Sequence, residues 1–181
     1  MTVRTAIYAG SFDPITRGHE DLILRSLEFV DRLIVAVATN SAKQPLFTTD
    51  ERVQLIRSAL PGESRVEVKA FGGLLVDFAA REGANLLIRG LRAVSDFEYE
   101  YQMALMNRHL SAKLETVFMI PSLDTTYISA SLVREIARYG GDVSSLVLTE
   151  LLIGLCYAAV AYALLRLFEI DGRRRATFET M

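Results

Sequence analysis

The chain has 181 residues, of which 51% are hydrophobic, and this is enough for one well-buried domain with an appendage but too few for two ordinary compact domains. Twenty Lys and Arg residues against 22 Asp and Glu residues give a net charge of -2, which excludes a global basic field for nucleic acid and makes any anion site local. The only cysteine, Cys156, excludes an internal disulfide and multi-cysteine metal sites. A single cysteine fits a reducing compartment. Because no apolar leader opens the chain, we expect it in the cytoplasm.

Strand-length apolar runs alternate with segments of helical spacing. The strands are predicted at residues 5–8, 33–39, 66–71, 86–88 and 117–120, and the helices at 20–30, 50–60, 75–82, 96–110 and 131–139. Thr48 and Glu51 have the spacing of a capping box at the second helix. Because the strands are apolar at successive positions, both faces should be covered, which is typical of a parallel sheet. The sequence therefore predicts a doubly wound α/β domain with five parallel strands.

The first strand leads into a helix through a glycine loop at residues 9–19. Such a junction directs backbone N–H groups and the positive end of a helix dipole at one point, which suits a phosphate. Thr16 and His19 are three residues apart, so both would add side-chain donors on one side of a helical turn. The alternative is a Gly- and Pro-containing turn whose histidine only caps the helix.

Ligands of doubly wound sheets bind outside the carboxyl ends of the strands, near the point where the strand order reverses. Lys43 follows the second strand, and Arg89 and Arg92 straddle a glycine after the fourth. A solvated lysine and a structural arginine ion pair are the plain alternatives. Two arginines at this edge nevertheless match the bidentate clamping of separate phosphate groups.

Ser129 and Ser131 lie at the start of the last predicted helix, where serine is commonly a plain N-cap. At a helix N-terminus, the same hydroxyl and N–H groups can bind a triphosphate. The pattern contains no nucleophile with an adjacent base, and His109 lies late in a helix. Electrostatic stabilisation without covalent catalysis is what nucleotidyl transfer mostly requires, so that chemistry is favoured.

An ordered set of motifs resembles the bacterial phosphopantetheine adenylyltransferase family, within the nucleotidyltransferases that carry a (H/T)xGH signature. That signature is Thr16-Arg17-Gly18-His19 here. The other matching blocks are Gly10-Ser-Phe-Asp-Pro-Ile-Thr, Lys43 to Phe47, Arg89-Gly-Leu-Arg-Ala, Asp96-Phe-Glu-Tyr-Glu, Met106-Asn-Arg-His-Leu and Ile128-Ser-Ala-Ser-Leu-Val-Arg-Glu. The resemblance covers about residues 4–147 and implies a Rossmann-like nucleotidyltransferase fold.

The resemblance implies transfer of AMP from ATP to 4'-phosphopantetheine, giving dephospho-coenzyme A and pyrophosphate in coenzyme A biosynthesis. The catalytic residues it implies are His19, Lys43 and Arg89. The substrate-binding residues it implies are Ser11, Lys43, Leu75 and Arg89. The ATP-binding residues it implies are Ser11, Phe12, His19, Gly90, Leu91, Arg92, Glu100, Thr125, Thr126, Tyr127, Ile128, Ser129, Ala130 and Ser131.

The resemblance also implies Mg²⁺ held by phosphate oxygens, with no dedicated protein ligands. It further implies a homohexamer that coenzyme A inhibits. Many relatives carry a third serine where this chain has Ala130, and we expect little effect if backbone N–H groups make that contact. A nucleotide or coenzyme A binding module without turnover, tethered by its tail, is the alternative function.

The family pattern ends near residue 148, so we predict an adenylyltransferase domain over residues 1–147 and an atypical apolar helix with an Arg-rich tail over 148–181. Residues 151–165 are apolar without a charge, and Arg166, Glu169 and three consecutive arginines follow. The run is shorter than the roughly 20 residues of a membrane span. Membrane insertion, a helix packed in an interface or on the domain, and a foreign segment remain the alternatives.

Overall fold

The computed structural model describes residues 3–39 and 45–147, in which strands and helices alternate. The strands are β1 (Thr5–Gly10), β2 (Arg32–Ala38), β3 (Val66–Phe71), β4 (Leu86–Gly90) and β5 (Glu115–Met119). The helices are α1 (Arg17–Ser26), α2 (Thr49–Ala59), α3 (Leu75–Arg81), α4 (Val94–Leu110) and α5 (Ala130–Arg138). Each predicted strand and helix is present, with bounds that differ by a few residues.

The five strands form one sheet in the order β3-β2-β1-β4-β5, and all of its pairings are parallel. The predicted doubly wound parallel sheet is therefore confirmed. The chain builds outward from β1 through β2 to β3, and then crosses over to place β4 on the other side of β1. The strand order thus reverses between β1 and β4, where this kind of sheet opens a crevice for ligands.

The central strands are buried on both faces. Ile7, Ile34 and Leu87 point to one face, where they form a cluster with Val76 and Phe78. The alternate positions of β1 and β2 point to the opposite face and are buried as well. This two-sided burial explains why these strands are apolar at successive positions rather than at every second one.

Helix α1 begins at Arg17, three residues before the predicted start, because the capping interactions of Thr16 begin the helix there. The backbone N–H of Thr16 donates to Nδ1 of His19 at 3.0 Å, so the side chain at the third helical position closes the first turn. Histidine is not among the residues that usually complete a capping box, and the sequence pattern therefore set the start too late.

The predicted capping box of α2 is confirmed. The backbone N–H of Glu51 donates to Oγ1 of Thr48 at 3.3 Å, and the backbone N–H of Thr48 donates to Oε2 of Glu51 at 2.7 Å. This reciprocal pair satisfies two backbone donors that the helix itself leaves without partners.

Helix α4 differs from the other helices because none of its residues is buried. Phe97, Tyr101, Leu105 and Met106 are among the large apolar side chains that it exposes. An exposed apolar surface of this extent is typical of an interaction face.

Lys43 and all of residues 148–181 lie outside the described part of the chain. The domain boundary and the apolar C-terminal helix therefore stay predictions. Among the residues that the structure does describe, no helix is long and apolar enough to cross a membrane.

Candidate active site

A cavity of about 310 Å³ opens at the carboxyl ends of β1 and β4, where the strand order reverses. Its walls come from the loop after β1, the start of α1, the end of β4 and the segment before α5. The predicted site residues that line it are Ser11, Phe12, His19, Arg89, Gly90, Arg92, Glu100, Thr125, Ile128, Ala130 and Ser131. His19 and Arg92, which are 73 positions apart in the sequence, thus face one cavity.

The imidazole of His19 is held in one tautomer by the loop that precedes it. Its Nδ1 accepts a hydrogen bond from the backbone N–H of Thr16 at 3.0 Å, and Oγ1 of Thr16 lies at the same distance. Because Nδ1 is an acceptor, the neutral ring carries its proton on Nε2. The histidine therefore caps the helix with one nitrogen and keeps a donor on the other, so the two sequence interpretations are compatible.

Burial keeps this ring neutral. Desolvation, assisted by the positive charge of Arg92, lowers the pKa of His19 from 6.5 to about 4. At neutral pH the side chain is consequently an uncharged hydrogen-bond donor. Such a donor can stabilise developing negative charge without having lost its proton beforehand.

Two aromatic rings fix the plane of the imidazole. The Phe12 ring packs edge-on against His19 with 5.1 Å between centroids, and the Tyr8 ring lies at 6.4 Å. Phe12 has a φ of 47°, which a side-chain-bearing residue rarely adopts. Gly10 makes room for this turn, because a Cβ there would lie 3.1 Å from Cζ of Phe12. The unusual backbone conformation of Phe12 therefore places its ring against the imidazole of His19.

Arg89 is bound to the protein from two directions. Its Nε and Nη2 donate to the two carboxylate oxygens of Glu100 at 2.7 and 2.6 Å, and its Nη1 donates to the carbonyl of Ala9. Although burial lowers the pKa of Arg89, the hydrogen bond and charge of Glu100 outweigh it and raise that pKa overall. Glu100, a predicted ATP-binding residue, therefore orients Arg89 at the cavity wall.

Arg92 is less restrained than Arg89. Its Nε lies 3.3 Å from a carboxylate oxygen of Asp96, one helical turn along, and its side chain is 44% exposed. A surface pair of this kind contributes little to stability. The guanidinium is therefore available to a ligand at little cost.

Other predicted residues lie beside the cavity rather than on its wall. Leu91, Thr126, Tyr127 and Ser129 are not part of the cavity lining. Ser129 is the N-cap of α5, and its hydroxyl accepts from the backbone N–H of Leu132 at 3.1 Å. The plain N-cap interpretation thus describes Ser129, whereas Ser131 reaches the cavity.

Leu75 lines a second, smaller cavity of about 90 Å³ on the other side of Arg89 and Glu100. Both charged residues belong to the walls of both cavities. The Arg89–Glu100 pair therefore stands between a polar chamber with His19 and a chamber that Leu75 and Met103 make partly apolar.

Sequence reasoning missed three charged residues that support the cavity. Buried Arg52 donates to the carbonyl of Ser11 at 2.7 Å. Asp13 accepts from the backbone N–H groups of Leu46 and Phe47, each at 2.9 Å, and pairs with Arg134 from α5. Asp13 and Arg134 both stand in motifs named above without a role assigned to them, but no sequence signal distinguished Arg52 from a surface charge.

The described residues contain no group of three or more His, Cys, Asp or Glu side chains that could hold a metal ion. Glu100 is the only carboxylate among the described residues that line the cavity, and Arg89 already occupies both of its oxygens. The protein groups described here therefore do not form a metal cage.

A family model described as cytidylyltransferase-like matches residues 7–136. A putative nicotinate-nucleotide adenylyltransferase from Vibrio parahaemolyticus has a similar fold, with a TM-score of 0.63 and 16% identity over 84% of this chain and 93% of that one. The chain belongs to the cytidylyltransferase-like class of nucleotidyltransferases. Its cavity lies where the order of its own sheet reverses.

Two relatives are much more similar in sequence. Phosphopantetheine adenylyltransferase from Thiobacillus denitrificans is 54% identical over 143 residues, covering 79% of this chain and 89% of the relative. The protein of the same name from Thioalkalivibrio sulfidiphilus is 56% identical over 142 residues, covering 78% and 89%. Within its class, the chain therefore belongs to the phosphopantetheine adenylyltransferase family of enzymes.

Proposed function

We propose that this enzyme transfers AMP from ATP to 4'-phosphopantetheine, giving dephospho-coenzyme A and pyrophosphate, as a step of coenzyme A biosynthesis. A phosphate oxygen of the acceptor forms a bond with the α-phosphorus of ATP while the bond to the bridging oxygen breaks, and pyrophosphate leaves. The observation that carries the proposal is the neutral His19, with its Nε2 proton free, in one cavity with Arg89 and Arg92.

In this proposal His19 donates from Nε2 to the phosphoryl oxygens whose charge grows in the transition state. Lys43 and Arg89 orient the attacking phosphate, and Leu75 contacts the pantetheine arm from the smaller cavity. Arg89 lines both cavities, which supports placing the acceptor phosphate beside Arg89 and the pantetheine arm in the smaller cavity.

The ATP site is proposed along the cavity wall that holds Arg92. Ser11 and Phe12 line the cavity just after β1, where their backbone N–H groups would bind phosphate, and the segment from Thr125 to Ser131 contributes another part of the wall. Buried Arg52 donates a hydrogen bond to the carbonyl of Ser11. In a planar trans peptide, the N–H of Phe12 points away from that carbonyl. This orientation supports a phosphate-binding role for the N–H of Phe12.

Mg²⁺ is proposed to arrive as part of the substrate, bound to the oxygens of the triphosphate. Mg²⁺ binds largely through phosphate oxygens and water in such sites, so no protein cage is needed.

A homohexamer is proposed for the assembly, and the exposed apolar face of α4 supports contact between copies. Coenzyme A is proposed as an inhibitor, since it contains both the adenylyl and pantetheine parts of the product.

The cytoplasm is the proposed compartment. For residues 148–181 the alternatives are membrane contact, a packed helix and a foreign segment, and the detergent dependence of solubility, compared between the full chain and one that ends at Val147, separates them.

The proposal is tested by measuring pyrophosphate release from ATP with and without 4'-phosphopantetheine. We expect release only when the acceptor is present. Nicotinamide mononucleotide as acceptor and CTP as donor are the specificity controls, and either one working better would overturn the substrate assignment. ATP binding without any turnover would favour the non-catalytic binding module.

A further inference from the structure

Tyr8 is an unusual residue for the middle of this sheet. It lies in the central strand β1, where its neighbours Ile7 and Ala9 are apolar, and it is only 6% exposed. Its ring packs edge-on against Phe12 with 5.3 Å between centroids. Phenylalanine would make the same packing contacts, so packing alone does not explain the hydroxyl.

The Tyr8 hydroxyl has no hydrogen-bond partner among the described residues, although Tyr8 is one of the residues that line the larger cavity. In the same part of the chain, every fully enclosed side-chain nitrogen or oxygen does have a partner. The hydroxyl must therefore reach the open space of the cavity rather than a closed pocket. Buried tyrosine hydroxyls normally find a partner, so a group that enters this cavity is placed to accept a hydrogen bond from Tyr8.

The surroundings of the hydroxyl indicate what that acceptor is. Arg89 and Arg92 both line the same cavity, and so does Gly90, which lies between them in the sequence. A Cβ on Gly90 would lie 3.8 Å from the Tyr8 oxygen, so the strand end passes close to the hydroxyl without covering it. Two guanidinium groups beside a lone donor favour an anionic oxygen as the partner.

The hydroxyl keeps its proton at neutral pH and can therefore donate a hydrogen bond. Burial raises the pKa of Tyr8 well above its usual range, and the nearby positive charges of Arg89 and Arg92 only partly oppose this. The proton therefore stays on the oxygen and is available for a hydrogen bond.

We propose that the Tyr8 hydroxyl donates a hydrogen bond to a phosphoryl oxygen of a bound substrate, which makes Tyr8 a further substrate-binding residue of this enzyme. The inference rests on the proposed function for the identity of the two phosphate-bearing substrates. The phosphoryl oxygen belongs either to the triphosphate of ATP or to the acceptor phosphate, and the experiment separates these two sources.

The test is Tyr8→Phe, which removes one oxygen and keeps the ring. The matched control is Tyr139→Phe, at a position 86% exposed and outside the cavity lining. Because the lost hydroxyl has no partner in the described protein, we expect an unchanged or higher melting temperature. Because a hydrogen bond to a charged group contributes substantially to binding, we expect Tyr8→Phe to bind one of the two substrates about tenfold more weakly.

Calorimetric titration of both variants with ATP and, separately, with 4'-phosphopantetheine measures this directly. Weaker binding of ATP assigns the hydroxyl to the triphosphate, and weaker binding of the acceptor assigns it to the acceptor phosphate. Unchanged binding with a kcat at least about tenfold lower assigns it to the phosphoryl group in transfer. Binding and kcat both within about twofold of wild type, or a melting temperature that falls along with binding, would overturn the proposal.

Failure of the proposed function would look different from failure of this inference. If the wild-type protein releases no pyrophosphate, the reaction is wrong, but the binding titrations still report on the Tyr8 hydroxyl. If the wild type turns over and Tyr8→Phe behaves like Tyr139→Phe, only the role of Tyr8 is wrong.

Discussion

The interior of the sheet and its carboxyl edge differ in how many of their side-chain groups already have a partner within the protein. In the interior, side chains such as Ile34 and Leu87 are completely surrounded by other apolar groups. At the edge, Nε2 of His19, the guanidinium of Arg92 and the hydroxyl of Tyr8 face a cavity. Stability is therefore concentrated in one region and binding capacity in the other, and substitutions should affect the two separately.

The two capping boxes repeat this contrast on a smaller scale. Glu51 caps α2 with an exposed carboxylate whose pKa is lowered by hydrogen bonds from Thr48. His19 makes the corresponding contact to Thr16, but its second nitrogen is left for the cavity. The capping box of α2 therefore only stabilises its helix, whereas the capping box of α1 also places a hydrogen-bond donor in the cavity.

The largest expected effect is that of His19→Ala on turnover. Loss of one preorganised donor to a developing negative charge should lower kcat at least about a hundredfold. Loss of the capping contact to Thr16 should lower the free energy of unfolding by only about 1 kcal/mol. Steady-state kinetics and urea unfolding measure the two effects, with Tyr139→Ala, at an exposed position outside the cavity lining, as the control. Near-normal kcat in His19→Ala would refute the catalytic role.

The second effect is a loss of stability at mildly acidic pH that originates at the edge of the sheet. Because the pKa of His19 is lowered to about 4, the unfolded chain binds a proton between pH 6.5 and 4 that the folded chain does not. This stability is fully present above pH 6.5 and is lost as the pH falls towards 4. We expect a decrease of about 2 kcal/mol, allowing for partial exposure of the ring.

Urea unfolding of wild type and His19→Gln across this pH range measures that decrease. The variant lacks the titrating group, so its stability should fall less steeply with acid. Identical slopes for the two proteins would show that His19 is not the group responsible.

A smaller effect is expected in the interior. Ile34→Val removes one buried methyl group from a fully enclosed position and should lower the free energy of unfolding by about 1 kcal/mol. KM and kcat should stay at their wild-type values, because Ile34 does not line the cavity. A change in KM with little change in unfolding free energy would contradict the separation of the two regions.

The smallest effect is expected at the structural capping box. Glu51→Ala removes the exposed carboxylate from the first turn of α2 and should lower the free energy of unfolding by about 0.5 kcal/mol. Turnover should be unaffected, in contrast to His19→Ala. If Glu51→Ala loses as much activity as His19→Ala, the conclusion that Glu51 serves only its helix is wrong.

The sequence by itself determined the elements, the parallel sheet and the edge at which the site forms. Strand composition reports burial on both faces, and glycine, proline and capping residues act over a few positions, so these features can be inferred locally. The same local logic placed His19 and Arg89 beside the first and fourth strands, and both line the cavity.

Only the tertiary structure decided the strand order, the pairing of Arg89 with Glu100, the support of Ser11 by Arg52 and the free hydroxyl of Tyr8. Arg52 and Ser11 are 41 positions apart, and Tyr8 faces the cavity because β4 crosses over to pair with β1. Such contacts depend on how distant segments pack, whereas periodicity and capping rules describe neighbours along the chain. Local patterns therefore fix where a site forms, and packing fixes which of its groups remain available to a substrate.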